Sequence, residues 1–165
     1  MKIELSKLSG LIGYKGASYK SWDASYYKSE AKNDADWSGL YIALDENVAQ
    51  GYLPDMVPSP GNGKAYIHKV SLDEKVNLIT CLDDSFKTGK IDIDALKSAL
   101  SGQGIVVKKN EKIIPKLGKL GYLFKCFNNE EGAIEIIVPN NMVDKISMSK
   151  YKECQLKNYT VQNCS

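Results

Sequence analysis

Trp37-Ser38-Gly39-Leu40-Tyr41-Ile42-Ala43-Leu44-Asp45-Glu46-Asn47-Val48-Ala49-Gln50-Gly51-Tyr52 joins a strand, a cap and a helix in one short run. Leu40 to Leu44 is rich in β-formers, Asp45 is a helix-capping residue, and Glu46 to Gly51 is long enough for a turn and a half of helix. Such a unit brings the phenol rings of Tyr41 and Tyr52 towards one cleft. Two facing tyrosines make a slot for a planar heterocycle, since each stacked aromatic pair adds about 0.5–1.5 kcal/mol beyond burial. The same spacing also describes two core tyrosines with satisfied hydroxyls, and position alone leaves both readings open.

Around that run lie 165 residues with a net charge of +2. A chain of this length forms one domain, residues 1–165, and buries about two-thirds of its unfolded surface without a metal or disulfide staple. All 22 basic residues are lysine. A phosphate, pyrophosphate or carboxylate held here must therefore be met by point charges, backbone N–H groups or hydroxyls, because no guanidinium fork exists. Base-specific reading of DNA is not expected. The lysines at 108, 109, 112, 116 and 119 are interrupted by Glu111 and have no aromatic residues among them to stack bases, so they read as a solvated loop and helix edge.

Met1 to Gly10 lacks the apolar core of a signal peptide, and no apolar run approaches the length of a membrane helix, so the chain reads as soluble and unsignalled. Cys81, Cys126, Cys154 and Cys164 form no CxxC pair, and His68, the one histidine, has no partner at ligand spacing, so no metal is expected. Cys154 and Cys164 would close a small loop in an oxidising compartment or remain thiols in a reducing one.

Trp22 and Tyr26, four apart, suggest a helix over Ser18 to Ser29, with a polar loop over Lys28 to Asp36. Pro54 to Gly63 reads as a mobile surface loop. Lys64 to Leu72 and Val76 to Leu82 read as two strands. Asp92 to Leu100 reads as a helix stopped at Ser101-Gly102. Ile105 to Val107, Gly121 to Phe127, Ala133 to Val138 and Met142 to Ser149 make a β-rich second half. The class is α+β.

Two further features carry possible chemistry. Glu135 stands inside the apolar run Ala133-Ile134-Glu135-Ile136-Ile137-Val138, where period 2 puts it on the face of Ala133 and Ile137, looking into either solvent or a cleft. In Tyr14-Lys15-Gly16-Ala17-Ser18, Gly16 would let a ligand approach the backbone closely, or would simply turn a strand into a helix.

Tyr14-Lys15-Gly16, Trp37-Ser38-Gly39-Leu40-Tyr41, the second tyrosine in Ala49-Gln50-Gly51-Tyr52, the strand Gly63 to Val70, and Ile134-Glu135-Ile136 come in an order that resembles the catalytic domain of bacterial mono-ADP-ribosyltransferase toxins, nearest the diphtheria toxin group. The resemblance spans roughly Ile12 to Ser149. It implies two small, mostly antiparallel sheets and a few short helices packed around a cleft for NAD, the co-substrate. It further implies Glu135 as the catalytic carboxylate, Tyr41 and Tyr52 around the nicotinamide, and the Gly16 backbone on its carboxamide. Tyr14 and Lys15 would complete the NAD-binding set, with Trp37 lining the cleft.

One departure stands out. Lys15 occupies the place of the diphtheria group's histidine and of the arginine in the other large toxin class. The diphthamide target is not implied. With Ala43-Leu44 where the arginine-type class has its Ser-Thr-Ser motif, and Ala133 two before Glu135, modification of arginine is not implied either. The expected function is that of a toxin or effector, secreted or translocated into a host or competitor cell to act in its cytoplasm. It would transfer ADP-ribose from NAD to a macromolecule, in the first instance a protein, with a possible immunity or delivery partner and no membrane partner. An NAD glycohydrolase and a non-catalytic binding module are the alternatives.

Overall fold

Long amphipathic strands dominate the chain and find one another in a single curled sheet. The structure is a computed structural model that describes residues 1–83, 91–128 and 132–165. It is α+β: seven strands run in the order β1-β2-β5-β4-β3-β6-β7, and an additional β1–β3 pairing closes the first five into a small barrel. The strands are β1 (Glu4–Ala17), β2 (Leu40–Ala43), β3 (Gly63–Cys81), β4 (Tyr122–Asn128), β5 (Ala133–Val138), β6 (Ile146–Lys157) and β7 (Thr160–Cys164). The described pairings are antiparallel except β3 with β4. Where two separate small sheets are expected, the structure has one continuous sheet.

The cause is the length of β1 and β3. The stretches 64–72 and 76–82, expected as two strands, fall in one that ends at Cys81, because β1 pairs with β3 from Glu4↔Thr80 to Ala17↔Tyr66. Between Leu8↔Val76 and Gly10↔Leu72 the register shifts, so the exposed Asp73 to Lys75 oppose the single residue Ser9. Irregularities of this kind bend a strand and raise its twist. The bent β3 then serves two neighbours: its first half pairs with β6 and its second half with β4.

Alternation sorts the side chains on the two faces. Ile12, Leu40, Ile42, Val70, Leu78, Leu123, Ile136 and Val138, drawn from all five closing strands, pack as one buried cluster. On the other face, Ile79, Phe124 and Ile137 pack beneath α3 (Ile93–Gly102) and α4 (Ile113–Lys119) through Leu96, Leu100, Ile113, Ile114 and Leu117. A third cluster joins Ala49 of α2 (Glu46–Gly51) and Leu53 to Ala43, Ile67 and Cys154.

Several local expectations change for identifiable reasons. The first helix, α1, spans Ala24–Glu30 because the Asp23 side chain caps it by accepting from Tyr26 N. Trp22 is left outside and packs on Tyr19 and Tyr27. Ile105 and Val107 are buried as expected of a strand, but they lie outside the strand ladders. Part of the 142–149 stretch is a 3-10 helix, Asn140–Lys145, whose buried Asn140 donates to Lys32 O and Asn33 Oδ1. The 54–63 loop begins as a 3-10 helix (Leu53–Met56) and is then tied to the β6–β7 turn. Tyr159 N donates to Gly61 O at 2.8 Å, and Asn158 N to Asn62 Oδ1 at 2.9 Å. Gly61 has φ +83°, and a Cβ there would strike the Tyr159 ring and backbone.

Candidate functional site

Four separate segments converge on one cavity of about 270 Å³. It is lined by Tyr14, Lys15 and Gly16 of β1, Tyr41 and Ala43 of β2, Ala49, Tyr52 and Met56 of the helical wall, and Asn128 and Glu135 of the β4–β5 hairpin. The sheet explains the convergence. One row of register partners crosses it: Tyr14↔Ala43, Ala43↔Glu135, Glu135↔Cys126 and Cys126↔Cys81. Tyr41 lies two residues before Ala43 and therefore shares Glu135's face.

The opening exists because β1 and β2 barely meet. Tyr14↔Ala43 is the pairing that joins them, and β2 ends at Ala43. Asp45 then caps α2, its carboxylate accepting from Asn47 N at 2.8 Å, which turns the chain across the gap. Tyr52 follows at the end of α2. Gly16 is required by this wall: a Cβ there would lie 2.5 Å from Ala49 O and 3.1 Å from Leu53 Cδ2. A side chain at position 16 would thus collide with α2, and glycine keeps that backbone on the cavity wall.

Glu135 is only 1% exposed, and it looks into the cavity rather than into solvent. Asn128 Nδ2 donates to its Oε2. Lys15 sits close enough for the Glu135 charge to act on it. Burial pulls the Lys15 ammonium below its usual pKa, and the neighbouring carboxylate partly opposes that. The Tyr41 hydroxyl donates to Trp37 O at 2.8 Å, and burial, with Cys126 and Glu135 nearby, raises its pKa. That phenol stays neutral and fixed. Burial also lifts the Cys126 thiol to about 12 and the Cys81 thiol to about 11, so neither is a ready nucleophile.

The cavity gathers Tyr14, Lys15, Gly16, Tyr41, Tyr52 and Glu135. It does not gather Trp37, whose ring packs on Phe124 at 6.0 Å in the adjoining core and whose carbonyl holds Tyr41. Ala43, Ala49, Met56 and Asn128 also line the cavity without having been candidates from sequence. Asn128 lies two residues after Cys126, the register partner of Glu135, so it shares that face through a pairing that the sequence does not announce. Nothing in the sequence points to Met56 either.

Among the described residues, no group of three or more His, Cys, Asp or Glu side chains is placed to hold a metal, and no helix is long and apolar enough to cross a membrane. Cys154 and Cys164, register partners on β6 and β7, are disulfide-bonded. The 108–119 stretch is held by local contacts of two lysines. Lys116 pairs with Glu111 at 2.9 Å, and Lys97 donates to the carbonyls of Lys108, Lys109 and Glu111.

No protein-family model matches this chain, and no curated protein matches it in sequence. The functional reading therefore rests on the chain's own residues and their arrangement.

Proposed function

We propose that the protein is a mono-ADP-ribosyltransferase of the toxin or effector kind, with an ADP-ribosyltransferase-like fold, using NAD as co-substrate and a protein of a host or competitor cell as acceptor. The observation that carries the reading is the buried Glu135 in a cavity walled by Tyr14, Tyr41 and Tyr52, with Lys15 and Gly16 beside it. A carboxylate in an apolar strand is expensive to bury even with an amide donating to it, and such groups concentrate where charge is used. A ring-walled cavity of this size suits one flat heterocycle and its sugar rather than a whole dinucleotide.

In this reading Tyr41 and Tyr52 orient the nicotinamide and keep water from it. The bond between the nicotinamide nitrogen and ribose C1′ breaks, its electron pair goes to the ring, and neutral nicotinamide leaves. Positive charge then spreads over C1′ and the ring oxygen. Glu135, held by Asn128, stabilises that charge and accepts a hydrogen bond from the ribose 2′-hydroxyl, an interaction stronger in the transition state than before it. The acceptor nucleophile attacks C1′ and gives up its proton to solvent. Lys15 donates to a ribose hydroxyl or a phosphate oxygen. Delivery into a target cell, and any immunity or delivery partner, belong to the same proposal.

The test uses labelled NAD with and without target-cell lysate. Label on a lysate protein, and its loss in Glu135→Gln with an unchanged circular dichroism spectrum, supports transfer. Rapid NAD loss without lysate turns the reading to a glycohydrolase. A wild type that neither binds nor consumes NAD ends the enzymatic reading and leaves a binding module.

A further inference from the structure

A cavity of about 270 Å³ lies below the roughly 300–1,000 Å³ typical of sites for drug-sized ligands, so most of a dinucleotide must rest outside it. What surrounds the mouth therefore decides how the rest is held. Tyr14, a lining residue, is in ring contact with Tyr151 of β6 at 6.0 Å. Over the Tyr151 ring stand two lysines, Lys69 Nζ at 4.3 Å and Lys152 Nζ at 5.1 Å. Register produces this cluster: Lys69 pairs with Tyr14 across β1–β3, and the β3–β6 register shift between Ile67↔Lys152 and His68↔Lys150 leaves Tyr151 bulged out, 38% exposed.

The three cations near the mouth are not equivalent. Lys15 lies near Glu135, and Lys152 is ion-paired with Glu46 at the start of α2. Lys69 faces an aromatic ring. A lysine held over a ring keeps most of its donor capacity for an anion, and in a chain without arginine the side-chain cations available to a diphosphate are lysines. Glu46, which would repel phosphate, is already neutralised by Lys152.

We propose that Lys69, Tyr151 and Lys152 form a shelf that receives the diphosphate of the dinucleotide as it leaves the cavity past Tyr14. This rests on the NAD reading of the cavity. Lys69 supplies the direct charge. Lys152 shares itself between Glu46 and phosphate, and Tyr151 spaces the two ammonium groups.

The experiment measures binding of two probes to the full chain by calorimetry: a non-cleavable carbocyclic NAD analogue, and nicotinamide riboside, which lacks the phosphates. Lys69→Ala is expected to weaken the NAD analogue by about tenfold or more, the loss typical of one charge-assisted hydrogen bond, and to leave nicotinamide riboside within about twofold. Affinity of the wild type for the analogue should fall with added salt far more than its affinity for the riboside. Lys119→Ala, a matched charge removal on α4, is expected to change neither. Equal weakening of both probes by Lys69→Ala would make Lys69 structural and overturn the shelf, as would an unchanged affinity for the analogue. A wild type that binds both probes equally keeps the cavity reading and sinks the shelf; a wild type that binds neither sinks both.

Discussion

Gly16→Ala tests the link between the sheet and the tyrosine wall. The new Cβ would lie 2.5 Å from Ala49 O and 3.1 Å from Leu53 Cδ2. Ordinary contact begins near 3.4 Å, so α2 must retreat by about 1 Å, and the obstacle is backbone that cannot rotate away. Gly16 lies in β1 outside the left-handed region, so alanine meets no conformational strain there. In open space the change would even help, by roughly 0.4–1 kcal/mol through the unfolded chain. Overpacking of this kind costs typically about 1–3 kcal/mol, so the sign is set by the clash. At roughly 2–4 °C per kcal/mol for a chain of this size, the melting temperature should drop by roughly 2–12 °C. Tyr52, just past α2, moves with it, and a misplacement near 1 Å costs on the order of 10²-fold in rate. The assays are thermal unfolding by circular dichroism and NAD turnover. Gly51→Ala, at the end of α2 with nothing within 4 Å, is the control and should be neutral or slightly stabilising. Unchanged stability and unchanged turnover in Gly16→Ala would refute the close contact between β1 and α2.

Tyr41→Phe keeps the ring and removes the donor to Trp37 O, so it should cost about 1 kcal/mol in urea unfolding and leave turnover within several-fold, whereas Tyr41→Ala should abolish it. His68 is fully buried, its Nε2–H donating to Tyr19 O while Nδ1 has no partner, and burial holds its pKa below 6.5. Above pH 6.5 its contribution to stability is complete. As pH falls below 6.5 the unfolded chain takes the proton first, so urea midpoints should decline, and His68→Met should flatten that decline. Reducing Cys154–Cys164, which are separated by 10 residues, should lower stability by about 2–3 kcal/mol, read as a shift of the urea midpoint on adding dithiothreitol.

Where local chemistry dictated structure, the chain could be read directly. Asp45 and Asp92 cap the helices that their sequences announce, and Ala133 to Val138 is a strand with Glu135 on the expected face. Distant partners were invisible. Helix α4 contains Pro115 and Gly118, both breaker signals, and its first N–H groups are met from far away: Ile113 N donates to Asp36 Oδ1 and Ile114 N to Asp36 O. The single long β3 exists because β1 pairs along most of it, a fact that no window of sequence contains. The candidate site divides in the same way. Tyr14, Lys15, Gly16, Tyr41, Tyr52 and Glu135 were legible as residues, while Asn128 and Met56 enter through register and wall packing. Trp37 belonged to the motif but serves it from behind, by its carbonyl.

The lone Tyr14↔Ala43 bridge gives the cavity a length standard. A strand ladder can end anywhere, and the opening begins where this one ends. Two more residues of β2 able to pair past Ala43 would, in this antiparallel register, meet Gly13 and Ile12 and carry the ladder away from Lys15 and Gly16. Asp45, by starting a helix instead, works as a stop. An insertion between Ala43 and Asp45 would therefore lengthen that ladder and shift the start of α2, the helix that packs against Gly16.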